Sequence, residues 1–293
     1  MTAHHPLRGA SLFIFGILLF ACLDVTVKYL GARYDVPMIV AIRYACNLVL
    51  MTALLAPRRG PEMLRTQRTG WVIARALALS IGSLSIGLAL QRMPVAETSA
   101  ILFFAPVVVI LAAGPLLGEK VGMAGIGAAA LGFVGVLFIV RPGGGLDPVG
   151  VLLAGVGMVT TSIYQLLSRS LARTESTIAM LFYTTLTGTV IFGAMTPWFI
   201  PDQMPGGFDL LLLLSLGVYG GLGHFLFTAA YRDTPASVLA SLNYLQLLFV
   251  ALLGWLIFAH IPDGWSMTGM AIIAASGILA AWRARRPPVK RSV

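Results

Sequence analysis

The sequence is 293 residues long, 58% hydrophobic and only 11% charged, and its mean hydropathy is +0.90. Soluble domains carry about 25% charged residues, so these values exclude an ordinary water-soluble protein. The net charge of +9 does not indicate nucleic-acid binding, because the basic residues are spread between apolar runs and are not collected on a polar domain.

Ten apolar runs follow one another along the chain, each close to the roughly 20 residues that cross a bilayer as a helix. The first run holds Asp24 and Lys28 and is too long for a signal peptide, so we expect it to stay as the first membrane helix. The predicted helices cover residues 10–31, 36–56, 70–90, 95–117, 121–140, 148–169, 176–197, 208–231, 236–259 and 264–283. The predicted fold class is an all-α polytopic membrane protein with ten transmembrane helices.

The second half of the chain repeats the first at an offset of 140 positions. Residues 89–92, for example, align with residues 229–232. Each unit holds five helices, an odd number, so the second unit must enter the membrane in the opposite orientation. The sequence therefore predicts two inverted five-helix repeats, residues 1–144 and 145–293. This design is typical of secondary transporters that alternate access to a central site.

The basic residues predict the orientation of these helices. With the N-terminus inside, fourteen lysines and arginines lie in inner segments: Arg8, Arg58, Arg59, Arg65, Arg68, Lys120, Arg169, Arg173, Arg232, Arg283, Arg285, Arg286, Lys290 and Arg291. The outer loops hold three, namely Arg33, Arg92 and Arg141. The positive-inside rule then places both termini in the cytoplasm.

The most specific motifs lie between residues 94 and 143. Residues 94–101 read PVAETSAI, residues 116–120 read LLGEK, and residues 132–136 read GFVGV. Together with Arg43 in the second helix, these motifs resemble the EamA family of the drug/metabolite transporter superfamily. The resemblance covers essentially the whole chain. It implies a ten-helix carrier of small organic metabolites in the bacterial inner membrane, a group that includes exporters of aromatic amino acids.

We therefore expect a secondary transporter, not an enzyme, working by alternating access and exporting an amino-acid-like or aromatic solute. Uptake of a nucleoside-like or vitamin-like compound, such as S-adenosylmethionine or a flavin, is the alternative within this class. An integral-membrane enzyme acting on lipid-linked substrates is the alternative from another class. The sequence predicts no catalytic residues, no metal site, no cofactor and no nucleic-acid partner. Its expected partners are the solute and membrane lipids, with the chain working as a monomer or weak homodimer.

Two charged residues inside the first two helices are the first candidates for solute binding. Asp24 and Arg43 both lie about six residues from the outer end of their helices, a depth of roughly 9 Å at 1.5 Å per residue. Ionisable groups at such depth face a cavity or pair with each other. Both readings stay open: a structural pair that locks the helices together, or direct contact with the solute.

The second half contributes mostly uncharged candidates for solute binding. Tyr164 is the repeat equivalent of Asp24, and the ninth helix supplies Asn243, Tyr244 and Gln246. His224, in the eighth helix, can serve proton coupling or a single interhelical hydrogen bond. The nearby glycines, including the Gly217/Gly221 spacing, predict close helix contact.

Four further residues are candidates for gating or structure. Arg75 lies near the inner start of the third helix, where it either snorkels to the interface or lines a gate. Glu97 complements the N-terminus of the fourth helix as a cap, with coupling or solute binding as the alternative. Pro106 is expected to kink that helix, and Glu119 to hold the cytoplasmic helix ends together.

Overall fold

A computed structural model describes residues 6–105, 108–109, 112, 123–140, 145–171, 174–200, 205–233 and 245–284. In these residues the chain forms ten α-helices and one short 3₁₀ helix. The α-helices are α1 (Pro6–Gly31), α2 (Val36–Leu64), α3 (Thr69–Arg92), α4 (Val95–Leu102), α5 (Met123–Val140), α6 (Pro148–Leu171), α7 (Thr177–Met195), α8 (Gly207–Asp233), α9 (Leu245–Phe258) and α10 (Gly264–Ala284). The face where α1 ends and α2 begins is called the outer face below, after the orientation predicted from charge.

Several helix ends differ from their predicted bounds, and two of the differences lie beside prolines. α2 continues past residue 56 to Leu64, but it bends at Arg59, where φ is −138° and ψ is 24°, between Pro57 and Pro61. α4 ends at Leu102, four residues before Pro106. Proline has no amide hydrogen to donate to the carbonyl four residues earlier, so the sequence alone removes the helical hydrogen bond that the carbonyl of Leu102 would otherwise accept from residue 106.

The surface of the helix bundle is apolar and part of its interior is polar. Leu54, Trp198 and Phe208 are 67–76% exposed, whereas Arg75 and Thr98 are buried. Six of the described helices are long and apolar enough to cross a membrane. Large apolar side chains in such numbers are stable on the outside only where lipid covers them, and the chain is a multi-pass membrane protein.

The main helix interfaces join the two halves of the chain. α1 packs on α8, α3 on α6, α2 on α7, α4 on α9 and α5 on α10. Exchanging each helix for the one five places along the chain turns the α1–α8 interface into α6–α3. The same exchange maps the α2–α7, α4–α9 and α5–α10 interfaces onto themselves. These five interfaces therefore follow the internal repeat of the sequence, whereas the interface of α1 with α3 has no counterpart of similar size between α6 and α8 in the described helices.

Glycines in α8 allow α1 and α2 to approach its backbone closely, as the Gly217/Gly221 spacing predicts. A Cβ atom at Gly217 would lie 2.5 Å from Cβ of Cys46 in α2. On the side of α1, a Cβ atom at Gly223 would lie 2.7 Å from the ring of Phe20. A larger residue would displace the backbone of α2 at Gly217 and the Phe20 side chain at Gly223, so the prediction of close contact is confirmed.

We expect Gly217→Ala to destabilise the protein by about 1–3 kcal/mol, because the added methyl group overlaps Cys46 and forces α2 away from α8. Gly155→Ala in α6 is the matched control, since nothing lies within 4 Å of a Cβ atom there. Thermal unfolding of both variants in the same detergent measures the difference. Equal melting temperatures would contradict the tight α2–α8 interface.

Candidate functional site

The carboxylate of Asp24 and the guanidinium of Arg43 come together with a third candidate, Gln246. Asp24 lies in α1 and hydrogen-bonds with the side chain of Gln246 in α9, while Arg43 in α2 is close enough for its charge to act on the carboxylate. All three side chains are half-buried, although they face each other inside the bundle. Partial exposure at this place indicates that they border a polar space between the helices.

His224 in α8 connects this group to the second half of the bundle. Its ring lies 4.8 Å from the ring of Phe20 and 6.5 Å from the ring of Tyr164, both in edge-to-face geometry. The charges of Arg43 and Arg75 both act on it. His224 therefore lies near both Arg43 and Arg75, beside the rings of Phe20 and Tyr164.

Arg75 in α3 is buried, and its guanidinium donates four hydrogen bonds to residues of α6 and α7. Nε donates to Oγ of Ser168 at 2.6 Å, and Nη2 donates to the hydroxyl of Tyr164 at 2.8 Å. Nη1 donates to Oγ1 of Thr184 at 2.9 Å and to the carbonyl of Met180 at 3.2 Å. The guanidinium also lies 4.3 Å from the centre of the Tyr164 ring.

These contacts correct the snorkelling interpretation of Arg75. A snorkelling side chain places its charge in the interface, but this side chain is 4% exposed and points between α3, α6 and α7. Four neutral oxygen atoms accept hydrogen bonds from its guanidinium, which lowers the cost of burying the charge. Arg75 therefore belongs to the same polar group as Tyr164 and His224.

Together these residues form one continuous set, called the central site below: Asp24, Arg43, Arg75, Tyr164, His224 and Gln246. Three members belong to the first half of the chain and three to the second. The predicted candidates Asn243 and Tyr244 lie outside the described residues, as do Pro106 and Glu119. The central site offers donors, acceptors, charges and aromatic faces, which suit recognition of a solute better than bond-breaking chemistry.

Near the outer face, Glu97 joins α4 to the segment that follows α9. Oε1 of Glu97 lies 3.1 Å from Nε2 of His260, and the Glu97 side chain is only 4% exposed. Its other oxygen, Oε2, is buried and has no hydrogen-bond partner among the described residues. Glu97 lies in the first turn of α4, where its charge was predicted to complement the helix N-terminus, and its printed hydrogen bond runs to the second half of the chain.

Other polar contacts lie near this pair at the outer face. Lys28 donates to the carbonyls of Leu90 and Met93 at 2.9 and 2.7 Å, where the C-terminus of α3 carries partial negative charge. Arg92 forms an ion pair with Asp147 at 3.0 Å. That contact and the amide of Val149 lower the pKa of the Asp147 carboxyl below its usual range.

The inner face has a cross-half contact of a different kind. Glu175, between α6 and α7, accepts hydrogen bonds from the backbone amides of Gln67 and Arg68 at 2.9–3.2 Å. These amides precede the first turn of α3 and have no helical acceptor. The two halves are thus tied at both faces, by side-chain pairs outside and by a carboxylate on backbone amides inside.

Sequence reasoning missed the partners Ser168, Thr184 and His260. The first two are small polar residues whose contact with Arg75 depends on how three helices pack. His260 carried a usable signal, since it follows the ninth predicted helix at the same face as Glu97. No group of three histidine, cysteine, aspartate or glutamate side chains that could hold a metal ion occurs in the described residues.

Comparison with known proteins places this geometry in a family. The EamA-like transporter family matches twice, over residues 7–141 and again over residues 148–282. A riboflavin transporter of Vibrio cholerae is 28% identical over 99% of this chain and 98% of its own length. An S-adenosylmethionine uptake transporter of Rickettsia felis is 26% identical over 91% of this chain and 90% of its own length.

Two further comparisons agree with these. A riboflavin transporter of Rhizobium johnstonii is 26% identical over 92% of this chain and 89% of its own length. A solved crystal structure shares the fold, with a TM-score of 0.71 and 22% identity over 95% of this chain and 99% of that one. The predicted pair of repeats and the predicted transport function are confirmed: the chain belongs to the EamA-like transporter family and is a transporter, not an enzyme.

Proposed function

We propose that this transporter binds a nucleoside-like or vitamin-like solute at the central site and moves it by alternating access between residues 1–144 and 145–293. The observation that carries the proposal is the composition of the central site, three side chains from each half. A solute bound there contacts both halves, so a rocking motion of one against the other changes the face to which it is exposed.

The helix interfaces support an inverted arrangement of the two halves. The five interfaces between the halves named above map onto the same five when each helix is exchanged for its repeat counterpart, as a two-fold relation between the halves predicts. Five helices per half then place the second half upside down. The basic residues favour cytoplasmic N- and C-termini in a bacterial inner membrane, with the chain acting as a monomer or weak homodimer.

The chemistry of the site favours the alternative solute class over amino acids. Rings of Phe20, Tyr164 and His224 offer faces and edges for a planar heterocycle. Asp24, Arg43 and Gln246 offer charged and amide groups for its polar substituents. The names of the relatives, riboflavin transporter and S-adenosylmethionine uptake transporter, favour the same class, and the second name favours uptake over export.

The ninth helix is expected to complete this site. Asn243 and Gln246 are three residues apart, and side chains at that spacing share one face of a helix. We therefore keep Asn243 and Tyr244 as solute-binding candidates beside Gln246. Pro106 and Glu119 remain candidates for gating and for holding the inner helix ends.

Counterflow in proteoliposomes tests the proposed function. Vesicles preloaded with unlabelled riboflavin should accumulate external labelled riboflavin in a saturable manner, whereas vesicles preloaded with an aromatic amino acid should not. Vesicles without protein are the control. Counterflow of phenylalanine or tryptophan without riboflavin counterflow would contradict the proposed solute class, and linear, non-saturating flux would contradict a carrier mechanism.

A further inference from the structure

We infer that the central site carries one uncompensated positive charge, supplied by Arg75, which makes the transporter select neutral or anionic heteroaromatic solutes and reject organic cations. This inference rests on the proposed function, since it concerns the solute that the central site binds. It goes further by separating solutes of the same shape according to their charge.

The charge balance follows from the positions of the ionisable residues along the chain. Arg43 and Arg75 lie deeper than one turn from either end of their predicted helices. Asp24 is the single acidic residue in the sequence at comparable depth, because the other carboxylates lie in first turns, at helix ends or in loops. Two guanidinium groups therefore oppose one carboxylate in the membrane interior.

The structure shows which of the two guanidinium groups lacks a counter-charge. The charge of Arg43 acts on the carboxylate of Asp24, and Arg75 is not among the groups that act on that carboxylate. Arg75 instead contacts hydroxyl oxygens and one backbone carbonyl, and no carboxylate in the described part of the chain forms an ion pair with it. These dipoles solvate the charge of Arg75 but do not cancel its field.

Tyr164 places that field next to the solute. Its hydroxyl oxygen accepts a hydrogen bond from Arg75, so its own hydrogen is left to donate to another acceptor. The ring is half-buried and neighbours His224. A solute on this side of the site therefore meets a donor polarised by a cation, which suits carbonyl, hydroxyl and phosphate oxygens.

The expected selectivity is large because the charge is buried. Two unit charges about 8 Å apart at an effective dielectric constant of about 20 interact strongly enough to change an equilibrium constant by tenfold or more. A sulfonium or ammonium group at the site loses binding free energy through this repulsion, and a neutral group of the same size does not. A single charge on the solute should thus change the affinity by about tenfold.

Two matched pairs of probes measure this effect on the purified full-length protein. S-adenosylmethionine and S-adenosylhomocysteine differ by one methyl group and one positive charge, and riboflavin and its 5′-phosphate differ by an anionic group. We expect the wild type to bind S-adenosylhomocysteine about tenfold or more tightly than S-adenosylmethionine. In Arg75→Gln this ratio should fall to within about threefold, and the phosphate should lose more affinity than riboflavin does.

Arg75→Lys is the matched control, because it keeps the charge but loses most of the planar donor set. It should retain the wild-type ratios even where each affinity falls, so a purely structural role of Arg75 cannot imitate the result. Wild-type preference for S-adenosylmethionine, or ratios unchanged in Arg75→Gln, would overturn the inference and leave the proposed function intact. A wild type that binds none of the four compounds would overturn both.

Discussion

Asp24→Asn lowers the affinity for the transported solute by about 10–100-fold if Asp24 contacts that solute, because a hydrogen bond to a charged group contributes about 1.5–3 kcal/mol. The substitution keeps the shape of the side chain and its hydrogen bonding to Gln246 but removes the charge that faces Arg43. Isothermal titration of the folded protein with the solute identified by counterflow measures this change.

The same experiment distinguishes the two roles that the sequence left open for Asp24. Asp35→Asn is the control, since Asp35 is exposed and makes no capping hydrogen bond at the start of α2; its affinity should stay at the wild-type value. If Asp24→Asn lowers the melting temperature but leaves the affinity of the folded protein unchanged, Asp24 locks the helices and is not a binding residue.

Glu97→Gln raises the ratio of outward-open to closed protein by about 10–100-fold, because it removes a charged hydrogen bond that joins the two halves at the outer face. The buried carboxylate bonds to His260 through one oxygen only, and a neutral amide holds this contact more weakly. The equilibrium between closed and open forms should therefore change more here than at any exposed pair.

Cysteine labelling measures the opening. In a background with Cys22 and Cys46 replaced by alanine, a single Ser99→Cys lies at a position that is 2% exposed. Its reaction with a membrane-impermeant maleimide should become about tenfold faster or more when Glu97→Gln is added. Asp147→Asn is the matched control, because the Arg92–Asp147 pair also joins the halves but is partly exposed, and should change the rate by at most a few-fold. An unchanged rate in Glu97→Gln would show that Glu97 does not hold the outer face closed.

Several features of the central site were accessible from residue order. Asp24 and Arg43 were expected to meet because α1 and α2 are antiparallel neighbours, so equal distances from their shared turn mean equal depths. Tyr164 was a candidate for solute binding because the internal repeat places it at the position equivalent to Asp24. Both arguments need only the lengths of the helices and the internal repeat.

The contacts of Arg75 and Glu97 were not accessible in this way. Snorkelling and capping are local rules, which consider a side chain and its own helix. The observed partners of Arg75 lie more than 85 positions away along the chain, on α6 and α7, and His260 lies 163 positions from Glu97. A long side chain near a helix end can reach several hydrogen-bond partners, and the packing of other helices determines which of them it contacts.

The amino-acid sequence by itself determined that this protein lies in a membrane, that it consists of two related five-helix units, and that it transports. Hydropathy, helix length and internal repetition can be read directly from the residue order. Lipid requires every spanning helix to be apolar and long enough, whatever its neighbours are. The tertiary structure decided which polar side chains share one site and which join the two halves at the outer face. Buried charges are stable only with specific partners, and those partners come from helices that are distant in sequence.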